Sequence, residues 1–212
     1  MKAKNYKYLI TIIFIFFGEQ IAAEDRIVIN FESPPSLNQE AKLIQNIKNY
    51  NSVQSIENYL MQQNWIENFL IKSSFFGKFH QIFIQSKKPK YVWKDKFYID
   101  SQVSTFAYDG GYPDLIRLNM PLEYLTFWIK AENQYITLFN DLSLTIRSVG
   151  FQPAVGWYLI TSDALRVNLG DELSNDTYQK LSFTLKYMFE NNLTPSIIDL
   201  RYKAGAALNY GK

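Results

Sequence analysis

The chain has 212 residues, of which 47% are hydrophobic and 17% aromatic; this excludes a disordered protein and allows one ordinary domain or two small ones. Its net charge is only +2, so there is no electrostatic footprint for nucleic acid and no nucleic-acid partner is expected. Cysteine is absent and His80 is the one histidine, which removes disulfides, thiolate chemistry and Cys-ligated zinc, and leaves any histidine-based site resting on one residue.

Residues 1–23 hold Lys2, Lys4, Lys7 and Glu19, which account for the net charge of the whole chain. The lysines precede an apolar run containing Tyr8, Leu9, Ile10, Ile12, Ile13, Phe14, Ile15, Phe16 and Phe17. That layout keeps the N-terminus in the cytoplasm and exports the rest. An eleven-residue run ending near Ala22-Ala23 fits a cleavable signal peptide. Counted from Tyr6 to Ala23, the same stretch reaches about 27 Å as a helix, enough for a short membrane anchor in contact with lipid. Both readings stand on the residues alone.

Arg26 to Glu32 alternates Ile27, Ile29 and Phe31 with Val28 and Asn30, which predicts a strand. Ser36 followed by Gln39 is a capping-box pattern, opening a helix with Ala41, Ile44 and Ile47 on one face. A second helix is expected around Val53 to Gln62, with Val53, Ile56 and Leu60 together. Two alternating strands follow, Phe69 to Phe75 and Phe79 to Ser86, with Gly77 as the turn. His80 falls in the second of these and reads as a surface histidine. Trp65 and Trp93 read as core residues.

Beyond Pro89, the strand pair within Phe97 to Phe106 is followed by the loop signal Asp109-Gly110-Gly111. This loop is no phosphate cradle, because no Lys-Ser/Thr or helix start follows at the required spacing. Tyr135, Leu138, Leu142, Ile146 and Val149 recur at helical spacing, with Gly150 where a C-terminal cap would stand. Trp157 to Thr161 and Leu165 to Leu169 predict a hairpin around Ser162-Asp163. The last helix is expected from Asp176 to Asn191, burying Tyr178, Leu181, Leu185 and Met188. From Ile198 to Tyr210 the chain reads as strand, tight turn, strand. A terminal strand of small residues is either paired on both sides or a docking edge for a partner's strand. In the second reading Ala204, Gly205, Ala206 and Ala207 admit the partner backbone closely. Tyr202 and Tyr210 are then its aromatic anchors, and Arg201 offers a bidentate fork to an acid.

Several segments together resemble the FtsQ/DivIB bacterial cell-division proteins. They are Asn64-Trp65-Ile66, Pro89-Lys90-Tyr91-Val92-Trp93, the strand pair around Asp100 with Gln102 where a Gly is usual, Arg166 to Gly170, and the Asp199-Leu200-Arg201-Tyr202 ending. The resemblance runs from about Arg26 to Tyr210 and lies in the order of the segments. It implies an α+β protein: a membrane anchor (residues 1–23), a small POTRA-like module of a three-stranded sheet and two helices (24–88), and a mixed β-sheet domain with helices (89–212). It further implies an uncleaved single-pass protein of the bacterial inner membrane, its bulk periplasmic, at the division septum. The function implied is that of a non-enzymatic scaffold, without cofactor or metal. Its partners would be small bitopic coiled-coil division proteins of the FtsB/FtsL type and other division proteins, and it would help control septal peptidoglycan synthesis.

Two other classes are open to the residues. A periplasmic enzyme acting on cell-wall glycan needs paired carboxylates, for which Asp100, Asp109, Asp114 and Glu123 are the candidates. A periplasmic POTRA-containing assembly factor is the third, although the strands are too few and irregular for a membrane barrel.

Overall fold

The computed structural model describes residues 26–74, 79–203 and 205–211. The expected anchor from Tyr8 to Phe17, the Gly77 turn and Ala204 lie outside the described residues. No helix among the described residues is long and apolar enough to cross a membrane.

The first elements are β1 (Arg26–Ser33), α1 (Leu37–Ile47), α2 (Val53–Met61), β2 (Ile66–Ser73) and β3 (Phe79–Ser86). The strands form one sheet in the order β1-β3-β2, with β1 parallel and β2 antiparallel to β3. Helix α1 begins at the expected box: the Ser36 hydroxyl accepts the Gln39 N–H at 3.1 Å and the Gln39 side chain accepts the Ser36 N–H at 3.4 Å. Its buried face, however, is Leu43 and Ile47; Ile44 is half-buried and Ala41 exposed. Residues 43 and 47 are themselves an i, i+4 pair, and turning the helix by one position buries a leucine in place of an alanine. In α2, Ile56 and Leu60 are buried as expected, and Val53 is half-buried. His80 is a correction too: it is buried, with Nδ1 2.9 Å from the Ser73 hydroxyl.

The small core does not end with its own sheet. Beside Leu43, Ile56, Leu60 and Ile82 it takes in Val92, Tyr98 and Phe106 from the elements that follow. The loop carrying Asp109 fastens the contact. Its carboxylate accepts from the Ser36 hydroxyl, from the Tyr98 hydroxyl at 2.8 Å and from the Gly111 N–H at 3.0 Å, while Asn38 donates to its carbonyl at 3.1 Å. Burial, aided by the Asp109 carboxylate, pushes the Tyr98 phenol well above its ordinary range. A side chain at Gly111 would overlap Ser36, so a glycine permits this approach.

The remaining elements are β4 (Pro89–Trp93), β5 (Phe97–Asp100), β6 (Thr105–Ala107), β7 (Ile116–Asn119), α3 (Leu125–Asp141), β8 (Ile146–Gln152), β9 (Gly156–Thr161), β10 (Arg166–Gly170), α4 (Asn175–Glu190), β11 (Ile197–Asp199) and β12 (Ala207–Asn209). Their nine strands form one mixed sheet in the order β12-β11-β10-β9-β8-β7-β4-β5-β6. Register places Trp93, Leu118, Val149, Leu159, Val167, Ile198 and Leu208 in one row across seven strands. Trp128, Tyr135 and Phe139 of α3 and Leu181, Leu185 and Met188 of α4 pack on that face.

Helix α3 lies earlier than its spacing suggested. Ser143 takes a left-handed φ of 59°, and the Leu144 N–H returns to the Phe139 carbonyl at 2.9 Å, which closes the helix. Ile146 and Val149 therefore belong to β8. Gly150 is not a cap: it sits inside that strand, and the Tyr158 ring fills the space a side chain would need. In the β5–β6 turn the left-handed residue is Val103 rather than Gln102, and the Asp100 carboxylate accepts the Gln102 and Ser104 N–H groups at 2.9 and 2.8 Å.

The burial difference in α1 makes a direct test. Leu43→Ala is expected to cost about 3 kcal/mol in urea unfolding, as large-to-small changes at buried leucines do, and Ile44→Ala clearly less. Equal losses would put the helix face back where the spacing first suggested.

Candidate partner-docking edge

The C-terminal edge is built by the end of α4. Asn192 takes a left-handed φ of 55° and the Leu193 N–H returns to the Met188 carbonyl at 2.9 Å, so the helix stops. Buried Pro195 follows, and the chain enters β11, parallel to β10. Strand β12 then pairs antiparallel with β11, matching Ile197 to Asn209, Ile198 to Leu208 and Asp199 to Ala207. Ser196 secures the far end: its N–H reaches the Asn209 carbonyl at 2.8 Å, and its hydroxyl reaches the carbonyls of Asn209 and Gly211 at 3.1 and 2.5 Å.

Among the described residues, strand β12 has a neighbour on one side only. The opposite edge of the sheet is β6, where the Asn64 side chain accepts the Ala107 N–H at 3.4 Å. Of the residues singled out in the sequence, Ala207 opens β12, and Ala206, half-buried, leads into it against the main core. Gly205 sits in the connection with φ 78°. Tyr202 and Tyr210 flank the strand with 57% and 55% of their surface exposed.

Arg201 has an acid of its own. Its Nε lies 2.9 and 3.1 Å from the two Asp199 carboxylate oxygens, and Nη2 is 2.5 Å from Oδ2. Hydrogen bonding from Arg201, helped by Asn168, holds the Asp199 carboxyl below its usual range, and Asp199 in turn raises the Arg201 guanidinium. Three further residues support the connection, and periodicity gave no hint of them. Lys180 donates to the carbonyls of Leu200 and Tyr202 at 3.1 and 2.7 Å. The Asn168 carbonyl accepts the Leu200 N–H at 2.9 Å. Arg166 donates to the Asn168 side chain at 2.9 Å, and its guanidinium lies 4.2 Å from the Tyr158 ring centre. Beneath the edge runs an apolar groove of about 680 Å³, lined in part by Leu165, Met188, Phe189, Leu193 and Tyr210.

The four acids considered for glycan chemistry do not converge. Asp100 caps the β5–β6 turn and Asp109 holds the α1 contact, whereas Asp114 and Glu123 are exposed. No group of three or more His, Asp or Glu side chains among the described residues is placed to hold a metal ion.

The Asp199–Arg201 pair carries a pH signature. A carboxyl whose folded-state pKa is depressed adds stability above its ordinary, unfolded value, and that stability is lost as pH falls through the folded value. The stability difference between the wild type and Asp199→Asn should be constant from pH 7 to about 5, then shrink on further acidification. Thermal melts across pH 3–7 check this; a difference that grows in acid would contradict the pairing.

Two curated proteins match the chain. The cell division protein FtsQ of Aliivibrio fischeri is 19% identical over 166 residues, covering 74% of this chain and 62% of that protein. The cell division protein FtsQ of Vibrio cholerae serotype O1 is 24% identical over 139 residues, covering 61% of this chain and 51% of that protein. The match thus spans less than two thirds of the length of either relative. No protein-family model matches the chain. At this low identity, the chain is FtsQ-like.

Proposed function

We propose that this chain is a non-enzymatic, membrane-anchored scaffold of the bacterial division machinery. In this reading residues 1–23 are the cytoplasmic tail and anchor in the inner membrane, with the remainder periplasmic at the septum. Residues 24–88 form a POTRA-like recruitment module, and residues 89–212 carry the partner site. The partners are small bitopic coiled-coil proteins of the FtsB/FtsL type, through which the protein helps control septal peptidoglycan synthesis.

The observation that carries the reading is the side of β12 that has no partner strand among the described residues, taken together with similarity to two FtsQ proteins. A partner strand laid along β12 gains main-chain hydrogen bonds, which supply affinity, while side chains beside it supply selectivity. The small residues Ala206 and Ala207 leave the approach clear, and the rings of Tyr202 and Tyr210 stand at its two ends. Arg201 presents its fork with one side committed to Asp199. Its contribution to a partner acid is therefore an addition to an existing pair, not the rescue of a free charge.

Truncation from Asn209 onward would also remove the carbonyl that Ser196 holds, so point changes make the cleaner test. Tyr210→Ala and Ala206→Pro are expected to keep the circular-dichroism spectrum of the full chain. Each should reduce co-purification of an FtsB-type partner at least tenfold, and cells relying on either variant should grow as filaments. Undiminished co-purification with both folded variants would remove the docking-edge assignment.

A further inference from the structure

Three aromatic rings from separate elements converge beside the start of α4. Tyr124 ends the short 3-10 turn Leu122–Tyr124, Phe127 lies in the first turn of α3, and Trp157 lies at the start of β9. Tyr124 meets Trp157 edge-on, with centroids 6.0 Å apart and planes at 73°, and is tilted 44° to Phe127 at 6.3 Å. Phe151 stacks behind Tyr124 at 4.0 Å and 19°, which fixes that ring in place. With Ala131 and Leu173 these rings wall a cleft of about 520 Å³, and Phe127 leaves 57% of its surface exposed at the mouth.

The rim of the cleft is set by a close backbone approach. Gly156 and Gly170 have φ of 77° and 93°, and a side chain on Gly156 would overlap the Gly170 carbonyl. Only glycine accommodates both demands at Gly156, and the approach carries the loop 171–174 to the cleft beside Trp157. That loop brings Asp171 and Glu172 to the rim. Neither carboxylate makes an ion pair or a side-chain hydrogen bond among the described residues. The other polar lining residues are Lys130, Gln134 and Ser174, whose hydroxyl is already used in capping α4. Two carboxylates thus face one ammonium.

We propose that this cleft receives the cationic side chain, arginine or lysine, of a partner polypeptide. Ring faces attract a cation within about 6 Å of their centres, and more strongly where water is displaced. Exposed Phe127 and half-buried Tyr124 offer ring surface to a cation beside the buried Trp157; a sugar would instead call for a flat exposed platform. The two free carboxylates match the charge, and an arginine fork suits them best. The cleft is larger than a guanidinium group, so the side-chain stem and its neighbours enter with it. This site does not depend on the β12 reading, and either can stand without the other.

Saturation-transfer NMR on the full-length protein tests the proposal with N-acetyl-Gly-Arg-Gly-amide and its neutral citrulline counterpart. The arginine peptide should show transfer that saturates with concentration, and the citrulline peptide at least fivefold less. The double change Asp171→Asn, Glu172→Gln should reduce the arginine signal at least fivefold, and so should Phe127→Ala, whose exposed ring can be lost without unfolding; circular dichroism confirms that both variants fold. Equal transfer from the two peptides, or an unchanged signal in either folded variant, would overturn the site. Binding of free N-butylguanidinium without binding of the arginine peptide would overturn the polypeptide occupant.

Discussion

A backbone N–H or C=O group held away from water without a partner costs about as much as a lost hydrogen bond, and a sheet must therefore deal with its two ends. Here the ends are dealt with differently. At β6 the Asn64 side chain covers part of the outer edge, and Val92, Tyr98 and Phe106 of the elements around it share a core with the three-stranded sheet and its helices. At β12 the outer row has no partner strand among the described residues, while the inner row is committed to β11 and secured by Ser196. The apolar row that runs from Trp93 to Leu208 ties this last strand to the α3 and α4 core. Among the described residues the edge is consequently firm on one side and without a protein partner on the other, the condition under which an incoming strand exchanges water for main-chain hydrogen bonds without disrupting any within the protein.

The segment between β11 and β12 is exposed but not loosely tethered. Lys180 of α4 holds two of its carbonyls, Asn168 of β10 receives the Leu200 N–H, and Asp199 receives Arg201. These bring two side chains and one backbone carbonyl, each from a different element, onto one short stretch of chain. Their individual worth at the surface is modest, but they fix where Tyr202 stands relative to the strand. An anchor already placed before binding loses less conformational entropy when a partner arrives.

Much of this was legible in the sequence, and the misses have physical causes. The Ser36–Gln39 capping box, the period-two strands and the Leu181, Leu185 and Met188 face of α4 are local patterns that the fold uses, although Tyr178 is only half-buried and Thr184 joins that face. The face of α1 and the position of α3 were misplaced because several apolar residues satisfy helical spacing, and burial against partners decides which of them face inward. The run from Tyr135 to Val149 continues that spacing across a helix end, where Ser143 turns the chain into β8. His80 was read as a surface residue because nothing local shows what will pack over a strand. At the candidate edge the small residues and tyrosines were visible. Lys180, Asn168 and Arg166 were not, since their roles depend on contacts up to 32 residues away along the chain.

Amide hydrogen exchange on the full chain, with and without an FtsB-type partner, tests the central claim most directly. The account predicts that, within residues 205–210, the amides not bonded to β11 exchange freely in the unbound protein and slow at least tenfold on binding, with β11 largely unchanged. A bound partner that leaves exchange at β12 as it was, and protects another surface instead, would contradict it.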